Sequence, residues 1–149
     1  MLLEDPEDPA LPAAAAGAEG KARMKFDLCL SHLVLHHVPE VEPLLATMLG
    51  CLKPGGMVAL TDFEDFGPEA KKFHARARLI GVERHGINRE WITRLLEKVG
   101  FVNVSVEVGW SALKRVEKFD GEFEGAGPPR EERGEMMKFP FLIMTGKRP

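Results

Sequence analysis

The chain has no tyrosine, only two cysteines, and acidic and basic residues that nearly cancel. Each shortage removes a class of function. Without tyrosine there is no Tyr-Lys proton relay of the kind a nicotinamide dehydrogenase uses. Cys29 and Cys51 are isolated, which excludes a disulfide framework and a Cys-x-x-Cys metal motif. Both read as small core residues of a protein from a reducing, cytoplasmic compartment. A net charge of −3 and a pI near 6.0 leave no electrostatic footprint for nucleic acid or an anionic membrane surface. The longest apolar runs are too short to span a bilayer. Met1-Leu2-Leu3 leads straight into Glu4 and Asp5, without the basic start and apolar region of a secretion signal. Also missing before Phe26 is a Gly-rich strand-to-helix turn, the device that lets backbone approach a nucleotide cofactor. The candidate glycines there, Gly17 and Gly20, lie in Ala-rich sequence of low complexity. The 149 residues suffice for one domain with a core of its own, and they contain no internal repeat.

What the chain does hold is a strand-helix-strand unit from Phe26 to Asp62. Phe26 to Leu30 is a short apolar run, which predicts a strand buried on both faces. Ser31 to Val38 then carries His32, His36 and His37. Val41, Leu44, Leu45, Met48, Leu49 and Leu52 follow at helical spacing and predict one apolar helix face. Lys53-Pro54-Gly55-Gly56 predicts the stop: a cation in the last turn, a residue that cannot continue the helix, then glycines free to take positive φ. Met57 to Thr61 reads as a second buried strand, closed by Asp62. A unit of this length is a right-handed crossover between parallel strands, and parallel sheets hold ligands at the carboxyl ends of their strands. Those ends are Ser31 to His37 and Asp62 to Asp65, expected to open into one shared hollow.

The flanks are simpler. Residues 1–23 are rich in Pro, Ala, Gly and acid and read as a flexible segment, with Leu2 to Asp5 as a candidate strand end. Gly67-Pro68 predicts a helix start after Asp62, with Glu69 near its positive end. Lys71, Lys72, Arg76 and Arg78 read as its solvated face. Asn88 predicts a helix cap, Ile92, Leu95, Leu96 and Val99 an apolar face, and Gly100 the stop. Phe101 to Val108 alternates and predicts a strand with one wet face. Residues 109–119 predict a short amphipathic helix, and 120–134 an exposed loop. Phe139 to Thr145 predicts a last strand, with pairing from Phe141 because Pro140 has no N–H.

The stretch SHLVLHHVPEVEPLLATMLGCLKPGGMVALTDF resembles the second half of the class I S-adenosylmethionine-dependent methyltransferases, and within them a small-molecule, quinone-biosynthesis-like branch. Three pieces carry the likeness: LHHV after a strand, LKPGG as a helix stop, and a following strand that ends in Asp62-Phe63. It covers about Asp5 to Phe101 and more weakly the tail to Gly146. The resemblance implies an α/β fold with flanking helices, built on an incomplete Rossmann-like sheet of about four strands. The last strand would be inserted antiparallel between the two before it. Residues 24–149 would be the C-terminal half of a methyltransferase domain, and the chain a fragment or a truncated product. The strand at Phe26 to Leu30 would then be an open apolar edge, prone to self-association.

The same resemblance implies methyl transfer from S-adenosyl-L-methionine to an oxygen, nitrogen or carbon of a small-molecule acceptor, with help from an N-terminal half. Asp5, ahead of Leu11-Pro12, matches the acid that bonds the cofactor's adenine amino group; it reads equally as a solvated acid beside a turn. Ser31, His32 and Leu33 stand where the family lines the cofactor's methionine end. His36 and His37 are candidate catalytic bases, since imidazole titrates near neutrality. The structural alternative is that one of them packs inward onto backbone. Asp62, Phe63, Phe66, Arg84 and His85, with Phe73, are candidates for the substrate pocket, or else belong to an ordinary loop between helices. No metal site is predicted, because adjacent histidines cannot easily place both rings on one ion and no i, i+4 pair stands on a predicted helix. No nucleic-acid or membrane partner is expected. The non-enzymatic alternative is an inactive methyltransferase-like remnant or an interaction module.

Overall fold

Strands and helices alternate along the chain as the apolar pattern lays them out. In the computed structural model, which describes residues 4–14 and 22–149, the elements are β1 (Phe26–His32), α1 (Val41–Cys51), β2 (Leu52–Phe63), α2 (Arg89–Val99), β3 (Val102–Val116) and β4 (Glu135–Lys147). The sheet order is β1-β2-β4-β3. β1 and β2 are parallel, and β4 runs antiparallel to both of its neighbours. The last strand is thus inserted between the two before it, as the resemblance implied. Leu2, Leu3, Gly17 and Gly20 lie outside the described residues. Among the described residues, no helix is long and apolar enough to cross a membrane.

The helices form where sequence chemistry favours them. Asn88 caps α2: its side-chain oxygen accepts from the Trp91 N–H at 2.9 Å. Gly100 closes α2 in the left-handed region at φ 117°, a geometry that costs glycine nothing. α1 has no side-chain cap and holds by burial, with Val41 and Leu45 in the core. Both helices pack into one aliphatic cluster with Leu52, Val58, Leu60, Leu142 and Met144 of the central strands. A second, aromatic cluster joins Phe63, Phe73, Val116, Phe139 and Phe141. Alternation along β4 separates the two: Leu142 and Met144 belong to the first, Phe139 and Phe141 to the second.

Five expectations need correction. β1 is the sheet edge, as the resemblance implied, but it is not buried on both faces: Leu30 is 71% exposed. The helix stop comes earlier, at Cys51, and Lys53 to Gly56 form the start of β2. The β1–β2 register slips there, between Phe26 and Leu28. Gly67-Pro68 begins only short 3-10 turns, Pro68–Phe73 and Arg76–Arg78, because Phe73 and Ala70 are drawn into the core of the sheet's exit end. Residues 109–119 hold no helix. β3 runs on to Val116, since a bulge between Val108 and Trp110 shifts its register and the ladder with β4 continues down to Glu135. Pro140 does not delay pairing: β4 starts at Glu135 and Pro140 pairs opposite Ser111. Its carbonyl accepts from the Glu64 N–H just past the end of β2. The proline nitrogen faces that same side, so the β3 ladder loses no bond.

Candidate functional site

The parallel pairing of β1 with β2 sets Ser31 opposite Leu60 and His32 opposite Thr61, so both strands leave the sheet at one end. The Leu33 N–H donates to the Thr61 carbonyl at 2.9 Å, and Leu33 takes a left-handed φ of 54°. That conformation is uncommon for a branched residue and turns the chain sharply out of β1. A 3-10 turn at Leu35–His37 follows. It drops Leu35 and His36 into the protein and leaves His37 exposed.

Asp62 is the anchor of this turn. It is fully buried and meets His36, itself 1% exposed. Asp62 Oδ1 lies 2.8 Å from His36 Nδ1 and also accepts the Phe63 N–H at 2.9 Å. Oδ2 accepts the His36 backbone N–H at 3.1 Å. A carboxylate only accepts, so His36 Nδ1 carries a proton, and in the neutral ring Nε2 keeps the lone pair. His37 Nδ1 lies 2.6 Å from the Gly81 carbonyl, which fixes the same tautomer. The rings of His36 and His37 are 3.9 Å apart. His32 Nδ1 reaches the Thr61 hydroxyl at 2.6 Å.

The expected open hollow between the strand exits is therefore filled, by His36, Asp62 and Phe63. Phe63 is a core residue, stacked on Phe73 with centroids 4.0 Å apart. Open space lies on either side. One cleft of about 330 Å³ is lined by Glu4, Val38, Pro39, Pro43, Leu44 and Thr47. Another of about 270 Å³ is lined by His74, His85, Lys72, Glu117 and Phe119 among others.

The remaining sequence candidates separate. Arg84 lies behind the turn, where its guanidinium donates to the carbonyls of Leu35, of Val38 at 2.6 Å and of Pro39 at 3.0 Å. It clamps the LHHV backbone and stacks over Trp91. Gly86 takes φ 95°, and a Cβ there would meet Asp65 N at 2.6 Å. That close approach lets Ile87 bond Phe63 and Asp65 at the end of β2 and leaves His85 exposed beside its cleft. Phe66 is half-exposed and touches Phe139 edge-on. Asp5 is not brought to Ser31. Its carboxylate accepts the Glu7 N–H at 2.8 Å, Pro6 lies against Gly50, and Lys25, just before β1, reaches Pro6 and Glu7. From Lys25 to Ser31 the strand climbs about 20 Å.

Sequence reasoning passed over His74. Its ring sits 5.0 Å from that of His36 and 5.7 Å from that of His37. Burial, aided by His36, Lys114, His37 and His85, pushes its pKa down to about 4. Lys114 Nζ lies 3.7 Å above the Phe73 ring, and burial lowers its pKa as well. The one available signal was a further histidine in the connection between β2 and α2, next to Phe73.

A family model described as a methyltransferase domain matches residues 3–106. Phosphoethanolamine N-methyltransferase 2 of Caenorhabditis elegans is 32% identical over 85 residues, 55% of this chain and 18% of that protein. A methyltransferase structure from Bacillus halodurans is similar at TM-score 0.59 and 15% identity, over 84% of this chain and 65% of that one. Phosphoethanolamine N-methyltransferase 2 of Haemonchus contortus, in complex with S-adenosyl-L-methionine, gives 0.53 at 14% identity, over 83% of this chain and 33% of that one. At these identities the two structures are alike in fold alone. The chain spans under a fifth of the curated relative and just under two thirds of the Bacillus protein.

Proposed function

The chain belongs to the methyltransferase-domain family, and from that premise we propose that it takes part in methyl transfer from S-adenosyl-L-methionine to a small-molecule acceptor. The observation that carries this reading is the 2.8 Å contact between His36 Nδ1 and Asp62, which locks the exits of β1 and β2 into one fixed constellation. An amine is the acceptor we favour, because the relative at 32% identity bears the name of an amine methyltransferase. That choice replaces the quinone-type branch expected from the sequence.

Fit to the cofactor is one-sided. Ser31, His32 and the left-handed Leu33 present backbone and polar side chains at the exit of β1 and would flank the cofactor's methionine end. Asp5, whose carboxylate accepts the Glu7 N–H near Lys25, has no part at the methionine end in this reading. No Gly-rich strand-to-helix turn occurs among the described residues, so full affinity requires a further unit that supplies one. When bound, the cofactor supplies an electrophilic methyl group on a sulfonium.

The chain's own part is to position the acceptor and take its proton. A protonated amine has no lone pair to offer, and a base that removes the proton restores it. His37 is exposed, with Nδ1 tied to Gly81 and Nε2 free, and it is the base in this reading. His36 is a positioning residue, held by Asp62 beneath it. The reading places the chain in a reducing, cytoplasmic compartment. That fits the free thiols of Cys29 and Cys51, whose pKa values burial raises.

Calorimetry of the chain with S-adenosylhomocysteine, alone and joined to a Gly-rich partner half, tests the cofactor reading. Heat of binding in the joined form is expected, and its absence there would end it. In that form, His37→Ala should lower turnover about 100-fold and leave cofactor affinity unchanged. A second reading, association of copies through β1, is favoured by the exposed Leu28 and Leu30 on that edge. Size-exclusion of the chain over a concentration series decides it: a monomer throughout dismisses this reading.

A further inference from the structure

His36, His37 and His74 come from two separate connections, yet their rings converge. One nitrogen from each lies within 4.8 Å of the others. Two of the three are already oriented for a ligand. Asp62 takes the Nδ1 proton of His36 and the Gly81 carbonyl takes that of His37. Both Nε2 lone pairs are therefore left available. A carboxylate or carbonyl behind the remote nitrogen is the support that metal-binding histidines use to fix tautomer and ring angle. Moreover, His36 Nε2 and His74 Nδ1 are buried and have no hydrogen-bond partner among the described residues. Buried imidazole nitrogens are almost always bonded, and two such atoms on rings whose centroids lie 5.0 Å apart ask for a common partner.

We propose that His36, His37 and His74 form a three-histidine site for a divalent transition metal of the zinc class. Imidazole nitrogens suit zinc, cobalt, nickel and copper rather than magnesium or calcium. Zinc–nitrogen bonds of about 2.1 Å in a tetrahedron set the ligand atoms about 3.4 Å apart. Closing the cluster thus takes a side-chain adjustment on the order of 1 Å. Three protein ligands leave a fourth position open, and the exposed His37 provides the route from solvent. The spacing argument against a metal weighed only residues close in sequence; the third ring comes from residue 74, beyond β2. The site competes with the methyl-transfer reading for one atom: the His37 Nε2 lone pair cannot hold an ion and take a proton at once, so the cobalt titration is read on binding alone, apart from turnover.

Titration of the metal-free 149-residue chain with Co²⁺, followed by its visible absorption, with Zn²⁺ as competitor, is the test. One ion per chain is expected, with the intense bands of four-coordinate cobalt, lost on addition of Zn²⁺. His74→Ala and His37→Ala should each weaken binding at least about 10-fold, and Asp62→Asn by about 10-fold or more with all three ligands intact. His85→Ala, which alters a neighbouring histidine outside the cluster, should not. His37 is exposed, so its variant keeps the test decisive should a buried substitution impair folding. No binding, weak six-coordinate bands only, or equal loss in His85→Ala would overturn the proposal.

Discussion

The two hydrophobic clusters of this chain are built on opposite principles. The aliphatic one collects residues at helical or strand spacing from α1, α2 and the central strands. Its members are near one another because local periodicity puts them on matching faces. The aromatic one collects Phe63, Phe73, Phe139 and Phe141 from a strand end, a 3-10 turn and a long antiparallel extension. Nothing local unites these. The candidate site lies on the border, with Leu35 in the first cluster and the His36 ring 5.1 Å from Phe63 of the second. The difference teaches that the aliphatic cluster supplies the frame, whereas the aromatic cluster sets what surrounds the histidines.

The sharpest way to break that division compares two truncations. Phe63→Ala should cost about 3–5 kcal/mol and Leu45→Ala about 2–5 kcal/mol in urea unfolding. Only the first should also shift the ring resonances of His36 and His74 in NMR spectra of the folded protein. Equal shifts from both would dissolve the distinction. A smaller effect concerns pH. His74 titrates near 4 in the folded chain, against about 6.5 when unfolded. Between these values the unfolded chain binds the proton and the folded chain does not. Stability is therefore complete above about pH 6.5 and falls as pH drops toward about 4. Allowing for the partial exposure of His74, the loss is on the order of 1–2 kcal/mol. His74→Gln should flatten the stability profile across that window by this amount, and an unchanged slope would refute the assignment. Smallest is the helix cap. Asn88→Ala should cost about 1 kcal/mol through the aliphatic frame, measured by thermal unfolding, with no change at the histidines.

Much of the frame was legible in sequence. The apolar faces of α1 and α2, the Asn88 cap, the Gly100 stop and the parallel pair β1–β2 all rest on interactions within a few residues or on one strand-helix-strand unit. The errors fall where distant chain decides. Residues 109–119 become strand because β4 offers a partner along the whole of β3, and Pro140 is tolerated because β2 has already ended beside it. Pro68 starts only 3-10 turns because Phe73 is drawn against Phe63. At the site, His36, His37 and Asp62 were legible as strand-exit residues. Their roles were not: whether an imidazole faces solvent or a carboxylate depends on the 3-10 turn Leu35–His37. Arg84 looked like a substrate contact, and long-range folding made it a clamp on three carbonyls.

The order of amino acids was enough to establish an α/β fold with a sheet of about four strands, the helices α1 and α2, and a histidine-bearing turn at a strand exit, because periodicity, caps and breakers act over a few residues. Tertiary packing alone settled that Asp62 holds His36, that the space between the exits is closed, and that His74 joins the pair. Those outcomes depend on contacts between segments 26 or more residues apart in the Asp62–His36 case. Spacing within a segment carries no record of which distant segment will meet it.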